Sequence, residues 1–68
     1  MNITYDKEAN AAYISLSTDL KSEVVKTYPC DPSEVGGMIN LDFDADGRLV
    51  GIEVIDADKK LPIDVLKI

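Results

Sequence analysis

Two alternating segments on either side of a tight turn constrain the fold of this chain more than any other feature. In residues 37–43 and again in residues 48–55, every second residue is a large apolar one: Ile39, Leu41 and Phe43, then Val50, Ile52 and Val54. A period of two predicts a β-strand with one buried face. The intervening Asp44-Ala45-Asp46-Gly47 has the residue types of a tight turn with one left-handed position. The two segments together predict a β-hairpin.

Residues 42–53 also match the calcium-loop pattern D-x-D-x-D-G-x5-E. In that interpretation Asp42, Asp44 and Asp46 supply oxygens, Gly47 makes the sharp turn and Glu53 is the bidentate ligand. The pattern requires a helix on each side, whereas both flanks alternate with a period of two. In a hairpin, Glu53 would lie roughly 20 Å along the strand from Asp46. We therefore favour an acidic turn without metal, and a weak cation site formed by Asp42, Asp44 and Asp46 remains the alternative.

The rest of the chain adds strands and one short helix. Residues 2–5 and 11–17 predict a first hairpin, and residues 21–28 predict a third strand with a bulge or an edge position near two adjacent valines. The segment from Pro29 to Gly37 is predicted to be irregular, and a helix of one or two turns is predicted from Pro62 to Ile68. We expect a single domain over residues 1–68, mainly β (α+β), with an antiparallel meander sheet of about five strands and a short C-terminal helix.

Size and charge restrict the classes of function. A chain of 68 residues has room for one modest core, so oligomerisation or a bound metal would help its stability. The formal net charge of -6 disfavours nucleic acids and anionic membranes and favours a basic partner or a cation. With no secretory signal pattern and no apolar run long enough to cross a bilayer, we expect a cytoplasmic protein.

No catalytic constellation is evident in the sequence. Cys30 is the only cysteine and histidine is absent, which excludes a disulfide and the usual zinc sites. A reactive thiol needs a base or a positive charge beside it, whereas the immediate neighbour of Cys30 is the acidic Asp31. We expect no enzymatic activity and no cofactor.

Two segments resemble the small prokaryotic family known as domain of unknown function 2283. That family opens with Y-D-x-E-A-D-A-x-Y-I-x-L-S, similar to residues 5–17, and carries D-x-D-x-x-G-x-L-V-G-I-E-I-x-x-A, similar to residues 42–57. The chain departs from the pattern at Asn10, where Asp is usual, and in the segment from Pro29 to Gly37. The resemblance implies a strand–turn–strand unit at the second motif but no assigned activity. Members that resemble this chain are sometimes encoded beside a small ribonuclease-like toxin, which implies an antitoxin-like role.

The leading functional prediction is a non-catalytic protein-interaction module that self-associates through strand edges or neutralises a basic partner. The residues expected to contact such a partner are acidic: Asp42, Asp44, Asp46, Asp56 and Asp58. The alternative is a domain that weakly binds a divalent cation or a small ligand through the turn from Asp42 to Gly47 or through the loop from Pro29 to Gly37.

Overall fold

A computed structural model describes residues 1–17 and 23–67, which form one antiparallel sheet and three short helices. The elements in chain order are β1 (Asn2–Asp6), β2 (Ala11–Ser15), β3 (Lys26–Pro29), α1 (Pro32–Val35), β4 (Ile39–Phe43), β5 (Leu49–Ile55), α2 (Ala57–Lys60) and a 3-10 helix (Ile63–Val65). The strand order is β1-β2-β5-β4-β3, and every pair is antiparallel. The predicted fold class, a mainly β protein with a five-stranded antiparallel sheet and a short helix, is confirmed.

The sheet joins a hairpin to a three-stranded meander. β1 and β2 form the hairpin, β3, β4 and β5 form the meander, and β2 pairs with β5 rather than with β3. Strand β5 is therefore the central strand. Its residue Ile52 pairs with Ile14 of β2 on one side and with Leu41 of β4 on the other. The pairing of β4 with β5 contains one register shift, between Asp42 and Phe43. The part of the second motif that forms β5, Leu49–Ile55, thus lies in the middle of the sheet.

One face of the sheet is apolar and is covered by the C-terminal helices. Directly paired residues lie on the same face of an antiparallel sheet. The pairing therefore places these apolar residues together: Ile3, Tyr5, Ala12, Ile14, Ile39, Leu41, Ile52 and Val54. Ala57, Leu61 and Leu66 pack against Ala12 and Val54 from the helical side. Among the described residues, only Ala12, Val50, Val54 and Ala57 are buried hydrophobic ones, so the core is as small as the chain length suggests.

Strand β3 is shorter and lies later in the chain than the sequence predicted. Of the predicted strand over residues 21–28, residues 21 and 22 lie outside the described part and residues 23–25 are not in a strand. The strand instead continues to Pro29. The Cys30 N–H donates to the Ile39 carbonyl (2.8 Å), so by strand alternation Pro29 is at an outward-facing position of this edge strand. A residue without an N–H is tolerated there because none of the described strands pairs with this side of β3.

Two helices begin where the sequence predicted irregular or polar segments. Helix α1 lies within the segment from Pro29 to Gly37: the Asp31 carboxylate accepts a hydrogen bond from the Ser33 N–H (3.0 Å) and Pro32 occupies the first turn. Helix α2 was not predicted; it begins at Ala57, whose methyl group is fully buried against the sheet. Of the helix predicted from Pro62 to Ile68, the described residues contain only the 3-10 helix. The 3-10 helix follows, and Ile68 lies outside the described residues.

Candidate functional site

The second face of the sheet is polar, and α2 and the 3-10 helix do not pack on it. The strand pairing places nine polar side chains on this face, which we call the polar face: Asn2, Thr4, Asp6, Tyr13, Ser15, Thr27, Asn40, Asp42 and Glu53. Among the described strand residues, Lys26 is the only Lys or Arg, and it pairs with Phe43 on the other side of the β3 pleat. The polar face therefore carries carboxylates without a strand-borne cation to neutralise them.

A row of hydrogen bonds crosses four strands of the polar face. The Tyr13 hydroxyl donates to Asp42 Oδ2 (2.8 Å), and the Thr27 hydroxyl donates to Asp42 Oδ1 (2.7 Å). Tyr13 reaches from β2 to β4 by lying over Gly51 of the intervening strand β5. A Cβ atom at position 51 would collide with the Tyr13 ring and hydroxyl, so the crossing requires glycine.

The environment of Tyr13 keeps its hydroxyl protonated. Burial, the hydrogen bond to Asp42 and the negative charges of Asp42 and Glu53 raise the pKa of Tyr13 to about 12, from an ordinary value of 10.0. The phenol is thus a hydrogen-bond donor at neutral pH, and the Asp42 carboxylate is held by two neutral donors. This arrangement orients a negative charge without neutralising it.

Glu53 is the second oriented carboxylate of the polar face. Its Oε1 atom accepts a hydrogen bond from the Asn40 side-chain amide (2.9 Å), and Glu53 is paired with both Asn40 and Tyr13 across the sheet. Glu53 therefore lies in the middle of strand β5. This position confirms the hairpin interpretation, because the calcium-loop interpretation needed Glu53 to return to the turn.

In the acidic turn, Asp44 to Gly47, both carboxylates form ion pairs with the adjacent Arg48. Asp44 accepts hydrogen bonds from the backbone N–H groups of Asp46 and Arg48 (both 2.9 Å) and from Arg48 Nε (3.0 Å). Asp46 accepts a bond from Arg48 Nη2 (3.2 Å), and Gly47 has the left-handed φ of 79° that this turn requires. The Arg48 backbone N–H and guanidinium lower the pKa of Asp44.

The predicted cation-site residues Asp42, Asp44 and Asp46 do not converge. Asp42 is engaged by Tyr13 and Thr27 on the polar face, whereas the carboxylates of Asp44 and Asp46 are engaged by Arg48. No group of three or more potential ligands that could hold a metal occurs among residues 1–17 and 23–67.

Asp56 and Asp58 lie at the opposite end of β5 from the acidic turn. Asp56 precedes α2 with a left-handed φ of 54°, and the Asp58 carboxylate accepts a hydrogen bond from the Asn10 side-chain amide (2.7 Å). Since β5 extends over seven residues, about 24 Å, the five acidic residues predicted to contact a partner do not form one patch.

The loop around Cys30 forms a shallow cavity of about 240 Å³. It is lined by Pro29, Cys30, Asp31, Pro32, Met38, Ile39 and Asn40. Cys30 is partly buried. The Asp31 carboxylate is used to begin α1, and its hydrogen bonds from Ser33 lower the pKa of Asp31. The loop is therefore organised around a helix start.

The sequence reasoning missed Tyr13, Thr27, Asn40 and Gly51 as parts of one arrangement. The available signal was the alternation of polar and apolar residues in the strands. It placed Tyr13 and Asn40 on the side of their strands that faces away from the apolar residues. The missing information was the order of strands, because Tyr13 and Asp42 are 29 residues apart and come together only when β2 pairs with β5.

The geometry defines a class of small β protein: a five-stranded antiparallel sheet with helices on the apolar face and an open, negatively charged polar face. A family model described as "Protein of unknown function (DUF2283)" matches residues 2–57. The chain belongs to this family, as the resemblance of its two motifs indicated. No curated protein and no solved structure matches the chain. Within the described residues, no helix is long and apolar enough to cross a membrane.

Proposed function

We propose that this protein is a non-catalytic, cytoplasmic protein-interaction module whose polar face binds a basic protein partner. The observation that carries the proposal is the pair of oriented carboxylates, Asp42 and Glu53, held by neutral donors on a face to which the described strands contribute no Lys or Arg. A cationic side chain from a partner would find acceptors already in place.

The flatness and stiffness of the polar face suit a protein partner better than a small molecule. Regular strands carry the side chains of the polar face, and hydrogen bonds hold Tyr13, Asp42 and Thr27 in one arrangement. Little side-chain entropy is then lost on binding. The Tyr13 ring adds an aromatic surface on which an arginine guanidinium can stack. The antitoxin-like role implied by the family resemblance is one form of this function, with a basic toxin as the partner.

Neutralisation of the two carboxylates tests this proposal. The chain is co-expressed with the product of the adjacent gene, and binding is measured by calorimetry at low and high salt. We expect Asp42→Asn with Glu53→Gln to weaken binding by at least about tenfold, because each close ion pair contributes a kcal/mol or more to binding. Glu53→Gln keeps an acceptor for the Asn40 amide. Asp42→Asn keeps one of the two acceptor oxygens, and the hydroxyl of Tyr13 or Thr27 that meets the new amide group can accept a hydrogen bond from it.

The matched control removes the same number of charges elsewhere. Glu34→Gln in α1 and Asp64→Asn in the 3-10 helix alter two exposed carboxylates that are not on the polar face. We expect this control to change affinity less than threefold. If no complex forms, or if the two double variants weaken binding equally, the polar face is not the binding surface.

A further inference from the structure

The outer edge of β1 is open to pairing with another strand. β1 is a terminal strand of the sheet, it has five residues in continuous register with β2, and it contains no proline. The other terminal strand, β3, has four residues and ends in Pro29. Prolines and short length protect sheet edges from pairing, and β1 has neither protection.

One hydrogen bond identifies which backbone groups of β1 face outwards. The Leu16 N–H donates to the Val50 carbonyl (2.9 Å), so the even-numbered residues of β2 bond to β5 and the odd-numbered ones bond to β1. Tyr13 is paired with Thr4, so the backbone groups of Thr4 face β2. The N–H and C=O groups of Ile3 and Tyr5 consequently face away from the sheet, and no strand among the described residues pairs with them.

We propose that a second copy of this chain pairs with β1 in antiparallel fashion, about a twofold axis at Thr4. In this register Ile3 lies opposite Tyr5 of the second copy, and the two Ile3–Tyr5 pairs use the outward-facing groups for about four backbone hydrogen bonds. Two copies of the five-stranded sheet then become one continuous sheet. The contact closes with two subunits, as expected of a twofold interface.

The side chains of β1 are complementary to themselves in this register. Thr4 meets Thr4 at the close, non-hydrogen-bonded position, where threonine pairs are favourable. Asp6 lies opposite Asn2, so no like charges face each other directly. Ile3 and Tyr5 continue the apolar face across the twofold axis. Shifting the twofold axis by one residue, to Ile3 or Tyr5, pairs fewer residues of the five-residue strand.

The same register covers exposed apolar surface beside β1. A groove of about 480 Å³ lies between β1 and the 3-10 helix, lined by Tyr5, Lys7, Asp58, Ile63, Leu66 and Lys67. Ile63 is 74% exposed and Met1 is 77% exposed, the two largest values among the large hydrophobic residues recorded as exposed. Pairing about Thr4 puts Met1 of the second copy opposite Lys7, at the mouth of the groove beside Ile63. The proposed dimer would therefore shield two side chains that the single chain leaves in water.

Opposite charges at position 4 test the twofold register. Thr4 is exposed on β1, so Thr4→Asp and Thr4→Lys leave the monomer folded, but each places like charges against each other in the dimer. We expect the wild-type chain to reach twice the monomer mass at micromolar to submillimolar concentration in sedimentation experiments, since a one-strand contact is a small interface. Each variant alone should dimerise at least about tenfold more weakly. An equimolar mixture of the two variants should recover dimerisation.

Ala45→Asp and Ala45→Lys are matched controls, because Ala45 is exposed in the turn before β5, away from β1. They should dimerise like the wild type. A wild-type chain that stays monomeric, dimers that persist in both position-4 variants, or a mixture that fails to recover would each overturn the proposal. Asp42 and Glu53 lie on β4 and β5, and β2 separates these strands from β1, so Asp42→Asn with Glu53→Gln should still dimerise whether or not the proposed function holds.

Discussion

At the scale of single residues, Tyr13 is the side chain whose properties depend most on the fold. Its phenol is protonated and donates to Asp42, and its ring lies over Gly51. An exposed tyrosine would titrate near 10, whereas Tyr13 keeps its proton to about 12. Because the pKa of Tyr13 is higher in the folded chain than in an exposed tyrosine, its protonation is linked to folding.

The raised pKa of Tyr13 predicts a loss of stability in alkaline solution. Between pH 10 and pH 12 the unfolded chain loses the Tyr13 proton while the folded chain keeps it, so the contribution of this group is complete below pH 10 and disappears as pH rises through 12. We expect Tyr13→Phe to unfold with a weaker pH dependence over this range, measured by urea denaturation. Its phenolate absorbance titration should lack the component near 12.

Tyr28→Phe is the matched control, because Tyr28 is 54% exposed on the edge strand β3. In the absorbance titration, Tyr28→Phe should retain the phenolate component with a pKa near 12, and it should still lose stability in alkaline solution. An unchanged pH dependence in Tyr13→Phe would show that another group is responsible.

At the scale of elements, Asn10 connects the first hairpin to α2. It has a left-handed φ of 51°, its side-chain amide donates to Asp58 (2.7 Å), and its side-chain oxygen accepts from the Tyr5 hydroxyl (2.9 Å) and the Asp58 N–H (3.2 Å). Its carbonyl accepts from the Ala57 N–H (3.0 Å). Asparagine tolerates this backbone conformation and supplies both a donor and an acceptor.

Replacement of Asn10 by aspartate tests this connection. Asn10→Asp keeps the left-handed tolerance and the acceptor but removes the donor and places a second carboxylate against Asp58. We expect a loss of about 1–3 kcal/mol in the free energy of unfolding at pH 7. Addition of Asp58→Asn should recover most of it, because an amide again faces a carboxylate.

The exposed Asn2→Asp is the control for the same chemical change in β1, and it should cost less than about 0.5 kcal/mol. Thermal or urea unfolding at low protein concentration measures all four proteins. Equal stability of Asn10→Asp and Asn2→Asp would mean that the Asn10 contacts do not fasten α2.

The elements also show where sequence reasoning worked. The hairpin of β4 and β5 was predictable because alternation and turn residues are both local, and the structure confirms it. Helix α1 was missed although Asp31 and Pro32 have the residue types of a helix start. Helix α2 was missed because its start is fixed by the burial of Ala57 under a sheet that four distant segments build.

At the scale of the whole molecule, stability rests on few buried atoms. The buried hydrophobic residues of the described part are Ala12, Val50, Val54 and Ala57, and none of these has a large side chain. The close approach of α2 to the sheet therefore depends on small residues. The proposed dimerisation through β1 would add to the stability that this small core provides.

Enlargement of Ala57 should be poorly tolerated. Ala57 is 0% exposed, so Ala57→Leu would push α2 away from Ala12 and Val54 and cost about 1–3 kcal/mol in the free energy of unfolding. Ala45→Leu makes the same change in the exposed turn and should alter stability by less than about 0.5 kcal/mol. Urea denaturation compares the two. Equal effects would show that α2 is not held closely against the sheet.

The sequence by itself determined four of the five strands, the central hairpin and the sign of the surface charge, because alternation, turn residues and composition are local or additive properties. Only the tertiary structure decided that β2 pairs with β5, which brings Tyr13 over Gly51 to Asp42. It also separated Asp56 and Asp58 from the acidic turn and set the Asp44 carboxylate against Arg48. Several strand orders are compatible with the same local alternation, because the order depends on pairings between distant segments. Burial of the apolar residues on one common face selects among these orders.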